Sequence, residues 1–95
     1  MKIESYEQLL ESVRAGKYTS IGSYPVFYVT ADYRPMSYDA VVEELERIKE
    51  GFEDGDPEWT VIGSDINWED AELYCCHTGE RIESAYAEEE VADDA

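Results

Sequence analysis

The chain has 95 residues, is 43% hydrophobic and 13% aromatic, and carries 24 acidic against 7 basic side chains, a formal net charge of −17. That length suits one domain with a modest core, and the aromatic content sets it apart from acidic disordered chains. The charge argues against nucleic acid or an anionic membrane as a direct ligand, since both need Lys and Arg to neutralise phosphate, and no apolar run approaches the roughly 20 residues of a membrane span.

Ser5-Tyr6-Glu7-Gln8 has the form of a capping box, with Ser5 as N-cap and Gln8 at the third helical position. Tyr6, Leu9, Leu10 and Val13 share one helical face, and Gly16 is a good stop. The pattern predicts a helix over Tyr6–Ala15. The β-branched and aromatic run Tyr24–Thr30 predicts a strand, with Pro25 at its start or on an edge because it cannot donate to a ladder. Tyr18–Ile21 is a candidate short extra strand, and Ala31–Met36 reads as a loop.

Ser37 can cap a second helix. Tyr38, Val41, Val42, Leu45, Ile48 and Phe52 recur at helical spacing, which predicts one amphipathic helix ending near Phe52, before the turn-rich Asp54-Gly55-Asp56-Pro57. Trp59–Trp68 predicts a strand with a bulge at Gly63. Leu73–Cys76 and Arg81–Tyr86 flank His77-Thr78-Gly79-Glu80, a hairpin loop with Gly79 at positive φ. The expected fold is α+β: an antiparallel sheet of three to five strands with two amphipathic helices on one face. Residues 1–86 form the expected domain, and 87–95 an acidic flexible tail.

The charge is unevenly spread. Residues 1–49 hold 8 acids and 6 bases, whereas residues 50–95 hold 16 acids and a single base, Arg81. Such repulsion gives a small domain no stability, so a basic partner or a salty environment is implied. Asp39, Glu43, Glu46 and Glu50 would form one stripe opposite the apolar face of the second helix, running on into Glu53, Asp54, Asp56 and Glu58. Such a ladder can stand in for phosphates, which recur about every 3.4 Å along a DNA strand; the plain alternative is a solvated helix face. A second acidic group is Asp65, Asn67 and Glu69, with Asp70 and Glu72 close by. Strand alternation would put residues 65, 67 and 69 on one solvent face, where oxygen ligands for a hard cation or simply an exposed polar surface are the two readings.

Other chemistry is thin. Asp54-Gly55-Asp56 begins like a calcium loop, but the sixth position, where such a loop needs Gly, is Trp59. Cys75, Cys76 and His77 are the only soft ligands, and three consecutive residues cannot all face one ion. Buried Cys is the expected role, with acid-rich surroundings that would raise a thiol pKa. Most aromatics belong in the core or half-buried on the sheet. Tyr33 and Trp68, beside acids, are candidate interface anchors. No phosphate-binding Gly loop, nucleophile elbow or HExxH motif occurs. Two adjacent thiols and an N-terminus without an apolar leader segment point to a reducing, cytoplasmic setting.

Small size, high acidity, abundant aromatics and the lack of a catalytic motif resemble the small phage and mobile-element proteins that block host defence by mimicking DNA, among them anti-CRISPR and anti-restriction inhibitors. The resemblance spans residues 39–95, rests on charge and size, and carries over no residue by motif. It implies a non-enzymatic inhibitor without cofactor, monomeric or homodimeric, in the host cytoplasm. Its partner would be a basic host protein such as a CRISPR effector or restriction enzyme. The candidate contact residues are Asp39, Glu43, Glu46, Glu50, Glu53, Asp54, Asp56, Glu58, Asp65, Trp68, Glu69, Asp70 and Glu72. The alternative is an acid-rich domain of a salt-loving organism or its virus, and a third is a small enzyme or metal protein built on Cys75 and His77 or on Asp65 and Glu69.

Overall fold

The computed structural model describes residues 2–19, 22, 24–70 and 72–85. The expected tail at 87–95, together with Ser20, Ile21 and Tyr86 of two expected strands, lies outside the described residues. The fold is α+β, with the order α1 (Tyr6–Ala15), β1 (Val26–Thr30), β2 (Pro35–Ser37), α2 (Tyr38–Glu43), α3 (Leu45–Asp54) and β3 (Val61–Ile66). The sheet is antiparallel throughout, in the order β2-β1-β3.

Helix α1 starts and stops where its capping residues dictate. Ser5 Oγ accepts from Gln8 N–H, and Gln8 Oε1 accepts in return from Glu4 N–H at 2.7 Å. Gly16, at φ 105, ends the helix and donates its N–H to Val13 O. Pro25 sits just before β1, as its missing N–H requires. There Tyr18 bridges Pro25 but forms no strand among the described residues.

The expected loop at Ala31–Met36 holds a tight turn and the start of β2. Thr30 N–H donates to Arg34 O at 3.0 Å and Tyr33 N–H to Thr30 O at 2.9 Å, closing a three-residue hairpin loop. Such a loop pairs a type I turn with a third residue in the left-handed region, and here that residue is Tyr33, at φ 62.

The single helix expected from Tyr38 to Phe52 is two helices. Glu44, at φ −108 and ψ 23, ends α2 and starts α3. No Pro or Gly stands at the break; the two halves have different jobs. Helix α2 buries Ala40 and Val41 and packs on β1 and β2. Helix α3 buries Ile48 and Gly51 and packs on α1, where Phe52 meets Tyr6 edge-on at 6.0 Å. One straight rod cannot follow both surfaces. Val42, expected in the apolar stripe, is left 41% exposed.

Strand β3 is shorter than Trp59–Trp68. Its register slips between Val29↔Gly63 and Thr30↔Val61, so the extra residue is Ile62 rather than Gly63. Both sides of the sheet are engaged: Ile3 N–H donates to Ile62 O beside β3, and Cys76 N–H donates to Pro35 O beside β2, each at 2.9 Å. Such cover protects edges from pairing with other chains.

Among the described residues, the expected hairpin at Leu73–Tyr86 closes through one antiparallel bridge and forms no named strand. Tyr74 bridges Arg81, Cys75 N–H donates to Glu80 O, and Gly79 takes the expected positive φ, 72. Every element meets in one core, where Leu9, Tyr28, Met36, Val41, Ile48 and Val61 are fully buried. The Tyr28 hydroxyl, inside this core, shares a 2.8 Å hydrogen bond with Ser12 of α1, and Tyr38 donates to Val13 O at 2.6 Å, tying α2 to α1. Among the described residues no helix is long and apolar enough to cross a membrane.

Candidate partner-binding surface

The core uses no carboxylate, so the acids are left outside it. Asp39, Glu43, Glu46, Glu50, Glu53, Asp54, Asp56, Glu58, Asp65, Glu69, Asp70 and Glu72 are all exposed. Among the described residues, Asp39 has a cation, Lys17, at 3.1 Å; the other ion pairs are Lys2–Glu4, Arg34–Asp32 and Arg47–Glu44. Arg47, three residues after Glu44 on the chain, pairs with it at 3.6 Å. The remaining candidate carboxylates face water without a paired cation among the described residues.

The break at Glu44 divides the expected ladder. Asp39 and Glu43 ride on α2, while Glu46, Glu50, Glu53 and Asp54 ride on α3. Asp39 lines a cleft of about 420 Å³ with Lys17, Glu80, Arg81 and Glu83. There burial works against the Lys17 charge, but the hydrogen bond and charge of Asp39 outweigh it and raise the Lys17 pKa. At the rim, the hydrogen bond from Tyr18 to Glu83 raises the phenol pKa. Glu43 and Glu46 flank a shallow depression over the break. Glu50, Asp54 and Asp56 line another, with Arg47 and Trp59 as its other walls. Glu53 lies apart, near Tyr6 and Lys49. One continuous stripe becomes several acidic faces around α3.

The α3–β3 turn is held rigidly beneath these groups. Gly55 adopts φ 72 and caps α3 with its N–H on Gly51 O. Asp56 N–H and the Thr60 hydroxyl converge on the same oxygen, both at 3.0 Å. Trp59 then lies over Gly51, with the His77 ring stacked on it at 4.2 Å and the Arg47 guanidinium 5.3 Å from its centroid. Sequence reasoning passed over Arg47 and His77 as companions of Trp59, and their separation along the chain gives no local sign of the stack. The other candidate aromatic, Trp68, is 44% exposed and meets Tyr24 edge-on at 4.6 Å.

The second acidic group does not share a strand face. Strand β3 ends at Ile66, so alternation stops before Asn67. Asn67 turns inward to 4% exposure, donates to Asp70 O and Ile82 O, and accepts from Asp70 N–H. It anchors the turn that displays Glu69 and Asp70, and is not on the solvent face that strand alternation predicts for it. His77 sits in the turn at 76–78, and Cys75 just before it donates its N–H to Glu80 O. Cys75 is 2% exposed, matching the expected buried thiol, and its Sγ accepts from Ser37 N–H at 3.4 Å. Burial pushes this thiol up. Hydrogen bonds from the Thr78 hydroxyl and from the N–H groups of Ser37, Thr78 and His77 outweigh it and leave the pKa lowered. The expected upward shift holds for Cys76, from burial first and then the charges of Cys75 and Asp32. Among the described residues, no group of His, Cys, Asp and Glu is placed to hold a metal ion.

No protein-family model, curated protein or solved structure matches this chain.

What the surface can do follows from its own chemistry. Exposed carboxylates accept hydrogen bonds and attract cations over about 10 Å at 0.1 M salt. They suit guanidinium and ammonium groups, and the exposed Trp68, next to Glu69 in the chain, adds an aromatic surface against which such cations can lie.

Proposed function

We propose that this chain is a non-enzymatic binding protein that occupies the nucleic-acid groove of a basic host protein, most concretely a CRISPR effector or a restriction enzyme. The observation that carries this reading is the set of exposed carboxylates on and after α3, Glu46, Glu50, Glu53, Asp54, Asp56 and Glu58, which have no paired cation among the described residues. Left unpaired, they weaken the folded state through mutual repulsion, and a cationic partner turns that cost into affinity. The hydrogen-bonded turn around Gly51 O supports Asp56 and Glu58, so little backbone freedom is lost there on binding.

The test is displacement of labelled duplex DNA from a purified CRISPR effector or restriction enzyme of the host, repeated at rising salt. The protein is expected to compete with DNA, with an affinity that falls steeply as salt screens the charges. Joint reversal of Glu43, Glu46 and Glu50 to Lys is expected to weaken it by about tenfold or more. Affinity indifferent both to salt and to that triple reversal refutes the proposal.

A further inference from the structure

A cavity of about 320 Å³ opens between the end of α1 and strands β1 and β3. That volume lies at the small end of the range for pockets that enclose organic ligands. Its wall is mostly apolar: Ala15, Val26 and Ile66 contribute hydrocarbon, and Tyr18 contributes a ring whose hydroxyl is held by Glu83 at 2.8 Å. The Ser12 and Thr19 hydroxyls are already committed, the first to Tyr28 at 2.8 Å and the second to Tyr24 N–H at 3.0 Å. Asp65 is different. Its Oδ1 accepts from Ile66 N–H at 2.8 Å, and its Oδ2 has no partner among the described residues. No cation lines the cavity among the described residues, and neighbouring Lys17 turns away to pair with Asp39. Ala15 and Gly16 also bring in the carbonyl end of α1, which carries partial negative charge.

We infer that this cavity binds a small arylalkyl ammonium, an aromatic ring on a short chain that ends in a protonated amine. The ring lies against Tyr18, Val26 and Ile66, where it buries apolar surface and meets another aromatic. The ammonium donates to Asp65 Oδ2 in a charge-assisted hydrogen bond and faces the carbonyl end of α1. Those same charges reject an anion, and a neutral analogue leaves the carboxylate uncompensated. Asp65 is the one candidate partner-contact residue that lines this cavity, so the site stands whether or not the chain also meets a basic protein.

The full chain is titrated with phenethylamine at about 150 mM salt, where non-specific attraction to the acidic surface is screened beyond about 8 Å. Saturable binding is expected, with the largest amide shifts in a nitrogen–proton correlation spectrum at Gly16, Thr19, Asp65 and Ile66. Phenethyl alcohol and methylamine each keep one half of the ligand, and each is expected to bind at least about tenfold more weakly. Asp65→Asn keeps an oxygen for Ile66 N–H but removes the charge, and should weaken phenethylamine binding about tenfold. Glu46→Gln, the same loss of charge on α3, should change it by less than about twofold. The site is overturned by the absence of saturable binding, by phenethyl alcohol binding as tightly as the amine, by equal effects of the two variants, or by largest shifts outside residues 12–19 and 64–66. Equal affinity for acetyl-lysine amide would make the cavity a seat for a protein lysine. That outcome overturns the small-molecule ligand and leaves the basic-partner reading in place.

Discussion

Gly51 lies at a close approach that has a calculable consequence. A Cβ there would stand 2.6 Å from Trp59 Cβ and 2.7 Å from the Trp59 carbonyl carbon and oxygen. Carbon atoms in contact prefer about 3.5–4.0 Å, so Gly51→Ala demands a shift of about 1 Å. Two of the three atoms are backbone, and the loop is tied to Gly51 O by Asp56 N–H and the Thr60 hydroxyl, so neither side yields easily. Overpacking of this kind costs about 1–3 kcal/mol, and a pinned backbone puts this site at the upper end. Alanine recovers about 1 kcal/mol in helix propensity. The net loss is about 2 kcal/mol, which for a chain of this size lowers the melting temperature by about 10 °C. Gly55→Ala is the matched control: nothing lies within 4 Å of its Cβ, but φ is +72. Backbone strain alone makes that change cost about 1 kcal/mol. Urea denaturation of both variants, followed by tryptophan fluorescence, gives the comparison. The reasoning is refuted if Gly51→Ala falls within about 0.5 kcal/mol of wild type, or if Gly55→Ala is the more damaging change.

Two further predictions concern charge and protons. Raising salt from about 0.1 to 1 M shortens the screening length from about 10 to 3 Å, so relief of repulsion among the unpaired carboxylates should raise the melting temperature by about 5 °C. An unchanged melt would show that these groups do not oppose folding, and unfolding at the lower salt would favour the salt-adapted domain instead. Tyr28 titrates at alkaline pH. Burial raises its phenol above the ordinary value, the Ser12 hydrogen bond pulls it partly back, and Tyr38 adds a smaller upward push. Because the folded pKa is the higher one, its contribution is complete below the unfolded pKa of about 10 and is lost as pH rises through the folded value. Tyr28→Phe should cost about 1 kcal/mol at neutral pH through the lost Ser12 bond. It should also blunt the alkaline loss of stability, and an alkaline slope identical to wild type would contradict this account of Tyr28.

Where local chemistry was sufficient, the chain could be read directly. Helix α1 has the predicted bounds because its start and stop lie in Ser5, Gln8 and Gly16 themselves. Strand β1 and the positive φ of Gly79 are legible for the same reason: β-branched and aromatic residues suit a pleated surface, and a residue free of Cβ takes a left-handed turn position without strain. Charge and its imbalance are properties of composition alone, so the acidic candidates could be named without coordinates.

Tertiary packing decided the rest. The apolar period from Tyr38 to Phe52 is compatible with one helix, and only the need for α2 to cover the sheet while α3 covers α1 puts a break at Glu44. The pattern marks which residues are apolar but not which neighbour each one meets. Asn67 looked like a surface residue because alternation was extended past Ile66; its burial depends on carbonyls of Asp70 and Ile82 that the loop brings to it. Helical spacing named the acids of α2 and α3 but placed them on one stripe, because it carried no sign of the break at Glu44. Their division among α2, α3 and the turns arises because burying Ala40, Val41, Ile48 and Gly51 against different surfaces turns the opposite, charged sides of α2 and α3 in different directions.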